Sequence, residues 1–307
     1  MKYLIIGAGG TGGILGYKLT KGGKDVTLIA RGAHLRAIQE HGLTVHKIWD
    51  GQTENLPVKA TSAEDYQEQP DVILICVKGY SLDSVYPLVR RVSGPDTVVI
   101  PILNIYGTGG RMQEEFPDIL VTDGCIYVST NIESPGVLQQ HGEICRVVFG
   151  VREKEEYRPV LADIARDLEE SGIRGILSEN IQRDALQKFS YVSPVGAVGL
   201  YYHCAAGEIQ QEGEPREMFK AMIREIVALA AAMDIYFEQD LVEVNLNILS
   251  ALAPEATTSM QRDIMAGKDS EIDGLVYQVV RLGKQYGVPM PQYEKAAEEL
   301  CRVLQDG

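Results

Sequence analysis

Tyr3-Leu4-Ile5-Ile6-Gly7-Ala8-Gly9-Gly10-Thr11-Gly12 is the stretch that decides the fold. Its four leading apolar residues show no polar alternation, which predicts a strand buried on both faces in a helix-covered parallel sheet. Glycines at 7, 9 and 12 then match G-x-G-x-x-G, between that strand and a helix predicted over about Gly12 to Thr20. In that setting the first glycine permits a tight turn and the second lets the backbone approach a pyrophosphate. The third allows close packing of helix on strand. A helix amino terminus adds unpaired N–H groups and positive partial charge. Gly7, Ala8, Gly9, Gly10, Thr11 and Gly12 are therefore read together as a phosphate cradle.

Further along, Val26–Ile29, Val72–Val77 and Thr97–Ile100 are short β-branched runs of the same kind. A helix fits Ser81 to Val92, with Val85, Leu88, Val89 and Val92 on one face. Strand and helix alternating in this way predict a doubly wound α/β domain. Val137–Gln140 and Ile144–Phe149 read as an antiparallel hairpin turning through Gly142. A helix over Arg158–Ser171 and a short strand at Gly175–Leu177 close this first domain. After Ser178 the strand signal fades. Met218, Met222, Ile226 and Leu229 recur at helical spacing, as do Leu275, Val276, Val279 and Leu282. The expected boundaries are 1–178 for the α/β domain and 179–307 for a mostly helical one.

Composition excludes several classes of function. The 307 residues are 45% hydrophobic and 23% charged, which is ordinary globular usage and rules out a disordered or low-complexity chain. Asp and Glu outnumber Lys and Arg, 43 to 29, for a net charge of -14, and no basic run forms a stripe for nucleic acid or anionic lipid. Five cysteines, widely spaced and without a C-x-x-C pair, predict neither a disulfide framework nor a metal site. Neither a signal peptide nor a membrane span is read in the sequence, so a soluble, cytoplasmic protein is expected.

Three polar residues stand at the carboxyl ends of predicted strands, where open α/β sheets bind ligands. The second strand ends in Ile29-Ala30-Arg31-Gly32, with no carboxylate to take a ribose 2′-hydroxyl. Arg31 instead suits a 2′-phosphate, which a guanidinium can grip bidentately, and the expected cofactor is NADP(H). Lys78 and Asn104 follow the next two strands and face the same nucleotide cleft.

The order of these elements resembles the ketopantoate reductases, the 2-dehydropantoate 2-reductases. The resemblance is carried by Gly7–Gly13, Val26-Thr27-Leu28-Ile29-Ala30-Arg31-Gly32, Val77-Lys78, Asn104, Pro135-Gly136 and Lys188-Phe189. Ser259-Met260-Gln261-Arg262-Asp263, Ser270-Glu271-Ile272-Asp273 and Gly287-Val288-Pro289-Met290-Pro291 complete it over nearly the whole chain. It implies a Rossmann domain, a helical domain, and NADPH with a small 2-oxo acid in the cleft between them. It also implies an oxidoreductase acting on a CH–OH group, in pantothenate biosynthesis, and allows a homodimer. By the same resemblance Lys188 is the catalytic acid, which polarises the carbonyl and gives a proton to the developing alkoxide. Glu271 positions lysine and substrate, and Ser259 and Asn104 bind substrate. Ser270-Glu271-Ile272-Asp273 also reads locally as a capping box.

Four positions depart from the family pattern. Leu103-Asn104-Ile105 stands where the family has Gln-Asn-Gly, and Val192 and Gly196 stand where it has asparagines that bind substrate. A site stripped of such hydrogen bonds discriminates less strongly for a hydroxylated substrate, so a more apolar 2-oxo acid is an alternative. Two further alternatives remain open: an opine-type dehydrogenase using the same lysine on another carbonyl or imine, and a non-catalytic NADP(H) sensor.

Overall fold

Lys2–Ile6 forms strand β1, and its residues alternate between two cores. Tyr3 and Ile5 join one apolar cluster while Leu4 and Ile6 join another, so both faces of the strand are buried. That is why the run lacks polar alternation. The computed structural model describes residues 1–306. From β1 the chain continues through α1 (Gly10–Lys21), β2 (Asp25–Ile29), α2 (Gly32–His41), β3 (Leu43–Lys47), β4 (Thr53–Leu56), β5 (Lys59–Thr61) and β6 (Val72–Ile75). Next come α3 (Leu82–Val92), β7 (Val98–Pro101), α4 (Thr108–Glu115), β8 (Leu120–Val121), β9 (Asp123–Ser134), β10 (Val137–Gly150), α5 (Val160–Glu170) and β11 (Arg174–Leu177). These elements belong to a first unit, Met1–Leu103 with Gly107–Ile181.

Six of the strands form a parallel sheet in the order β5-β2-β1-β6-β7-β8. The order reverses direction between β1 and β6, which is the switch point where a Rossmann-type sheet opens a crevice at its strand ends. A second sheet is built on β10, which pairs antiparallel with β9 and parallel with β3 and β11. Here one expectation is corrected. Val137–Gln140 and Ile144–Phe149 are not two arms of a hairpin, because both lie on β10, which shifts register between Gln140 and Cys145. The turn is at Pro135-Gly136, where Gly136 takes the positive φ of +77° that the reversal requires.

The second unit comprises Asn104–Tyr106 and the chain from Gln182 onward. It is helical: α6 (Ile181–Tyr201), α7 (Ala206–Gln210), α8 (Glu214–Ala232), α9 (Leu241–Ser250), α10 (Ser259–Met265), α11 (Gln278–Tyr286) and α12 (Pro291–Asp306). Met218, Met222, Ile226 and Leu229 of α8 are all buried in its core, as their spacing predicts. Pro194 lies inside α6. Proline has no N–H, so the carbonyl of Ser190, four residues back, loses its helical donor. The buried Asn245 amide of α9 takes that place, donating to Ser190 O at 3.0 Å and to Ser190 Oγ at 3.0 Å. Among the described residues no helix is long and apolar enough to cross a membrane.

Candidate functional site

In the first unit the strand ends at the switch point enclose a cavity of about 600 Å³. Gly7, Ala8 and Gly9 line it from the end of β1, Ala30 and Arg31 from β2, and Val77 and Lys78 from β6. The glycines divide their work as the motif predicts. Gly7 has φ +101°, and its amide donates to Ile29 O, folding the loop onto β2. A Cβ on Gly12 would stand 1.9 Å from the Gly7 carbonyl oxygen, so helix and strand meet there with no room for a side chain. Gly9 differs: nothing lies within 4 Å of the place its Cβ would occupy. The chain itself gives no packing reason for a glycine at 9, whereas a ligand drawn up to the backbone does. Gly9 also caps α1 without any side-chain hydrogen bond, and the first turn carries no acid. Its leading amides keep their donors for an anion. These features fit the dinucleotide expected from the sequence.

Arg31 is exposed at the N-cap of α2 and Lys78 is half-buried at the start of a single 3₁₀ turn. Gly10, Thr11 and Gly12 form the opening turn of α1 and do not line the cavity. Glu64 does line it. It arrives on the loop after β5, the strand that pairs parallel with β2, and is held there by Arg91, whose guanidinium donates to the Ala63 and Glu64 carbonyls. Reading only the end of the second strand misses this carboxylate, because strand adjacency is a tertiary fact.

Asn104 is not among the residues that line that cavity and belongs to the second unit. Lys188, half-buried on α6, donates from Nζ to Asn104 Oδ1 at 2.7 Å. The three-residue segment around Asn104 is fixed on both sides. Ile105 sits so close to Gly274 that a Cβ on the glycine would meet Ile105 Cδ1 at 2.4 Å. Tyr106 accepts from Gln278 Nε2 at its carbonyl, 2.9 Å, and its ring lies 6.2 Å from that of Phe189. The departure at Ile105 thus has a structural counterpart in Gly274.

Glu271 is buried, and its carbonyl accepts the Leu275 amide at 2.9 Å. The capping box expected here does not form. The following Asp273–Tyr277 segment is π-helical and has no side-chain cap, since Asp273 is engaged bidentately by Arg281 at 2.8 Å on both oxygens. A capping box stands instead at Thr258 and Gln261, opening α10. Ser259 is the first residue of that helix. Its neighbour Met260 packs onto α6 at Gly196, where a Cβ would meet Met260 Cε at 2.7 Å. Met260 thereby occupies the space a side chain at 196 needs.

Val192, half-buried, packs against the core of the second unit. Its neighbours offer no ready replacement for an amide. Ser193 donates to Leu275 O at 2.5 Å and pairs with Tyr293 Oη at 2.6 Å, and the Tyr191 hydroxyl is enclosed without a partner. Burial pushes the Tyr191 phenol up to about 12, so it stays neutral.

Family models describe both units. "Ketopantoate reductase PanE/ApbA" matches residues 3–154, and "Ketopantoate reductase PanE/ApbA C terminal" matches 180–302. The chain therefore belongs to the ketopantoate reductase PanE/ApbA family of oxidoreductases. It is 26% identical over 298 residues to the uncharacterized oxidoreductase YkpB of Bacillus subtilis, covering 96% of each chain. To the 2-dehydropantoate 2-reductase of Mesorhizobium japonicum it is 27% identical over 316 residues, covering 95% of this chain and 94% of the relative. The crystal structure of 2-dehydropantoate 2-reductase from Methylococcus capsulatus superposes with a TM-score of 0.86 at 25% identity, over 99% of this chain and 97% of that one.

Proposed function

We propose that the protein reduces a small 2-oxo acid to the 2-hydroxy acid with NADPH. Gly7, Ala8, Gly9 and the opening turn of α1 hold the pyrophosphate, Arg31 the 2′-phosphate, and Lys78 the nucleotide beside them. When bound, the dinucleotide supplies the hydride. The observation that carries the reading is Lys188 Nζ donating to Asn104 Oδ1 at 2.7 Å. A neutral amide fixes the ammonium in place without taking its proton, which leaves Lys188 able to polarise a carbonyl oxygen and protonate it as charge develops. Glu271 orients lysine and substrate, and Ser259 hydrogen-bonds the substrate carboxylate. Loss of nicotinamide absorbance with a panel of 2-oxo acids tests this. Tight NADPH binding with no oxidation by any of them favours the sensor.

NADP(H) is the proposed cofactor, and Arg31→Ala checks it. Arg31 is exposed, so the contact belongs at the weak end of charge-assisted hydrogen bonds. NADPH affinity falls roughly tenfold and NADH affinity hardly moves. Glu64 favours the rival NAD(H) reading, in which the carboxylate takes the ribose 2′-hydroxyl. Equal losses for both nucleotides in Arg31→Ala support that rival.

For the substrate, 2-dehydropantoate is the starting candidate, and Val192 and Gly196 favour a less polar relative. Val192→Asn restores one amide, worth about 0.5–1.5 kcal/mol. It raises kcat/KM for 2-dehydropantoate roughly three- to tenfold over a plain branched 2-oxo acid. High efficiency of the parent on 2-dehydropantoate overturns this part of the proposal.

A further inference from the structure

His34 lines the nucleotide cavity from the first turn of α2, and both of its ring nitrogens are used. Nε2 lies 2.8 Å from the carbonyl of Ala8, inside the glycine loop. The amide of Gly136, at the tip of the β9–β10 turn, donates to Nδ1 at 3.0 Å. A carbonyl only accepts and an amide N–H only donates, so these partners fix the tautomer: neutral, with hydrogen on Nε2. The turn is itself anchored. Gly136 O accepts from Thr44 of β3 at 2.9 Å, and a Cβ on Gly136 would meet Ala37 Cβ of α2 at 2.9 Å. One imidazole therefore ties a loop of the parallel sheet to a fixed point on the second sheet.

We infer that His34 is a positioning residue for the dinucleotide: by joining Ala8 to Gly136 it sets the glycine loop in the shape that receives the pyrophosphate. The inference rests on the nucleotide-binding reading above. Ala8 stands between the glycine that makes the turn and the glycine that admits the ligand. A loop free to rotate its Ala8 carbonyl must be reordered by the nucleotide, at a cost in affinity.

Protonation breaks the link. With hydrogen on both nitrogens, Nδ1–H faces the N–H of Gly136, and two donors meet. Burial already holds the His34 pKa below its ordinary value, keeping the ring neutral at physiological pH. The charged side chains lining the cavity with it are Arg31 from its own helix, Glu64 from the loop after β5 and Lys78 from the loop after β6. On the hairpin, Glu133 is paired with His46.

The test is NADPH titration of the parent, His34→Ala and His34→Gln, followed by nicotinamide fluorescence at about pH 8 and about pH 5.5. Circular dichroism and thermal unfolding verify the fold of each. His34→Ala should bind roughly tenfold more weakly at the higher pH, through loss of two hydrogen bonds. His34→Gln carries an acceptor oxygen and a donor nitrogen, and should recover most of that loss. On acidification the parent should lose more affinity than His34→Gln. The 2′-phosphate titrates in the same range, but it is common to both proteins and cancels in the comparison. The inference is overturned if His34→Ala binds as tightly as the parent, or if parent and His34→Gln lose affinity in parallel. Failure of the parent to bind either dinucleotide overturns the reductase reading itself, and shows before any substitution is made.

Discussion

Lys188→Ala is expected to lower kcat by roughly 10²-fold or more while NADPH affinity stays within about twofold of the parent. The asymmetry follows from where the lysine acts. It belongs to the second unit, on α6, and its amine is held by Asn104 of that same unit. The cavity that fits the nucleotide is lined by the first unit alone. In the proposed mechanism, removing the amine takes away the proton donor for the forming alkoxide and leaves the proposed phosphate contacts intact. Single-turnover measurements separate this from product release. Should kcat hold while only the substrate KM rises, Lys188 binds the substrate and another group donates the proton. Asn104→Ala gives a companion result. It keeps the ammonium but removes the Asn104 contact that helps to hold it, so kcat falls less than in Lys188→Ala.

How much of this was legible in the sequence depends on the range over which each signal acts. The glycine loop was readable because turn, helix start and phosphate approach all lie within six residues. The strands of the parallel sheet were readable because burial on both faces removes polar alternation, as Leu4 and Ile5 facing different cores show. Signals that depend on a distant partner misled. Asp273 has capping-box spacing from Ser270 yet binds Arg281, and nothing local announces that competition. Gly142 looked like a turn, but Gly136, preceded by proline and seated on Ala37, is the glycine that reverses the chain. Glu64 and His34 could not be found by motif at all. One reaches the cavity through strand pairing and the other through two hydrogen bonds to residues 26 and 102 positions away.

Two glycines of the loop should respond in opposite ways to the same added methyl group. Gly12→Ala places a Cβ 1.9 Å from the Gly7 carbonyl oxygen and 3.0 Å from Cys76 Cβ, both of them fixed parts of the sheet edge. Helix α1 must then move off β1 and β6. Thermal unfolding should shift down, by the 1–3 kcal/mol typical of overpacking at least, and NADPH binding should fall by roughly a hundredfold or more. Gly9→Ala meets no protein atom within 4 Å, and its φ of -67° suits an L-residue. Its stability should stay within about 1 kcal/mol of the parent, since alanine is only a poorer N-cap than glycine. Nucleotide affinity should nevertheless drop at least tenfold, roughly 1.4 kcal/mol, because the methyl occupies the approach of the pyrophosphate. That combination, an undisturbed fold with a damaged site, is what a ligand-imposed glycine predicts and a packing-imposed glycine cannot give. Calorimetric unfolding and fluorescence titration on the two variants decide it. A Gly9→Ala protein that binds NADPH as the parent does means that the pyrophosphate does not lie against this loop.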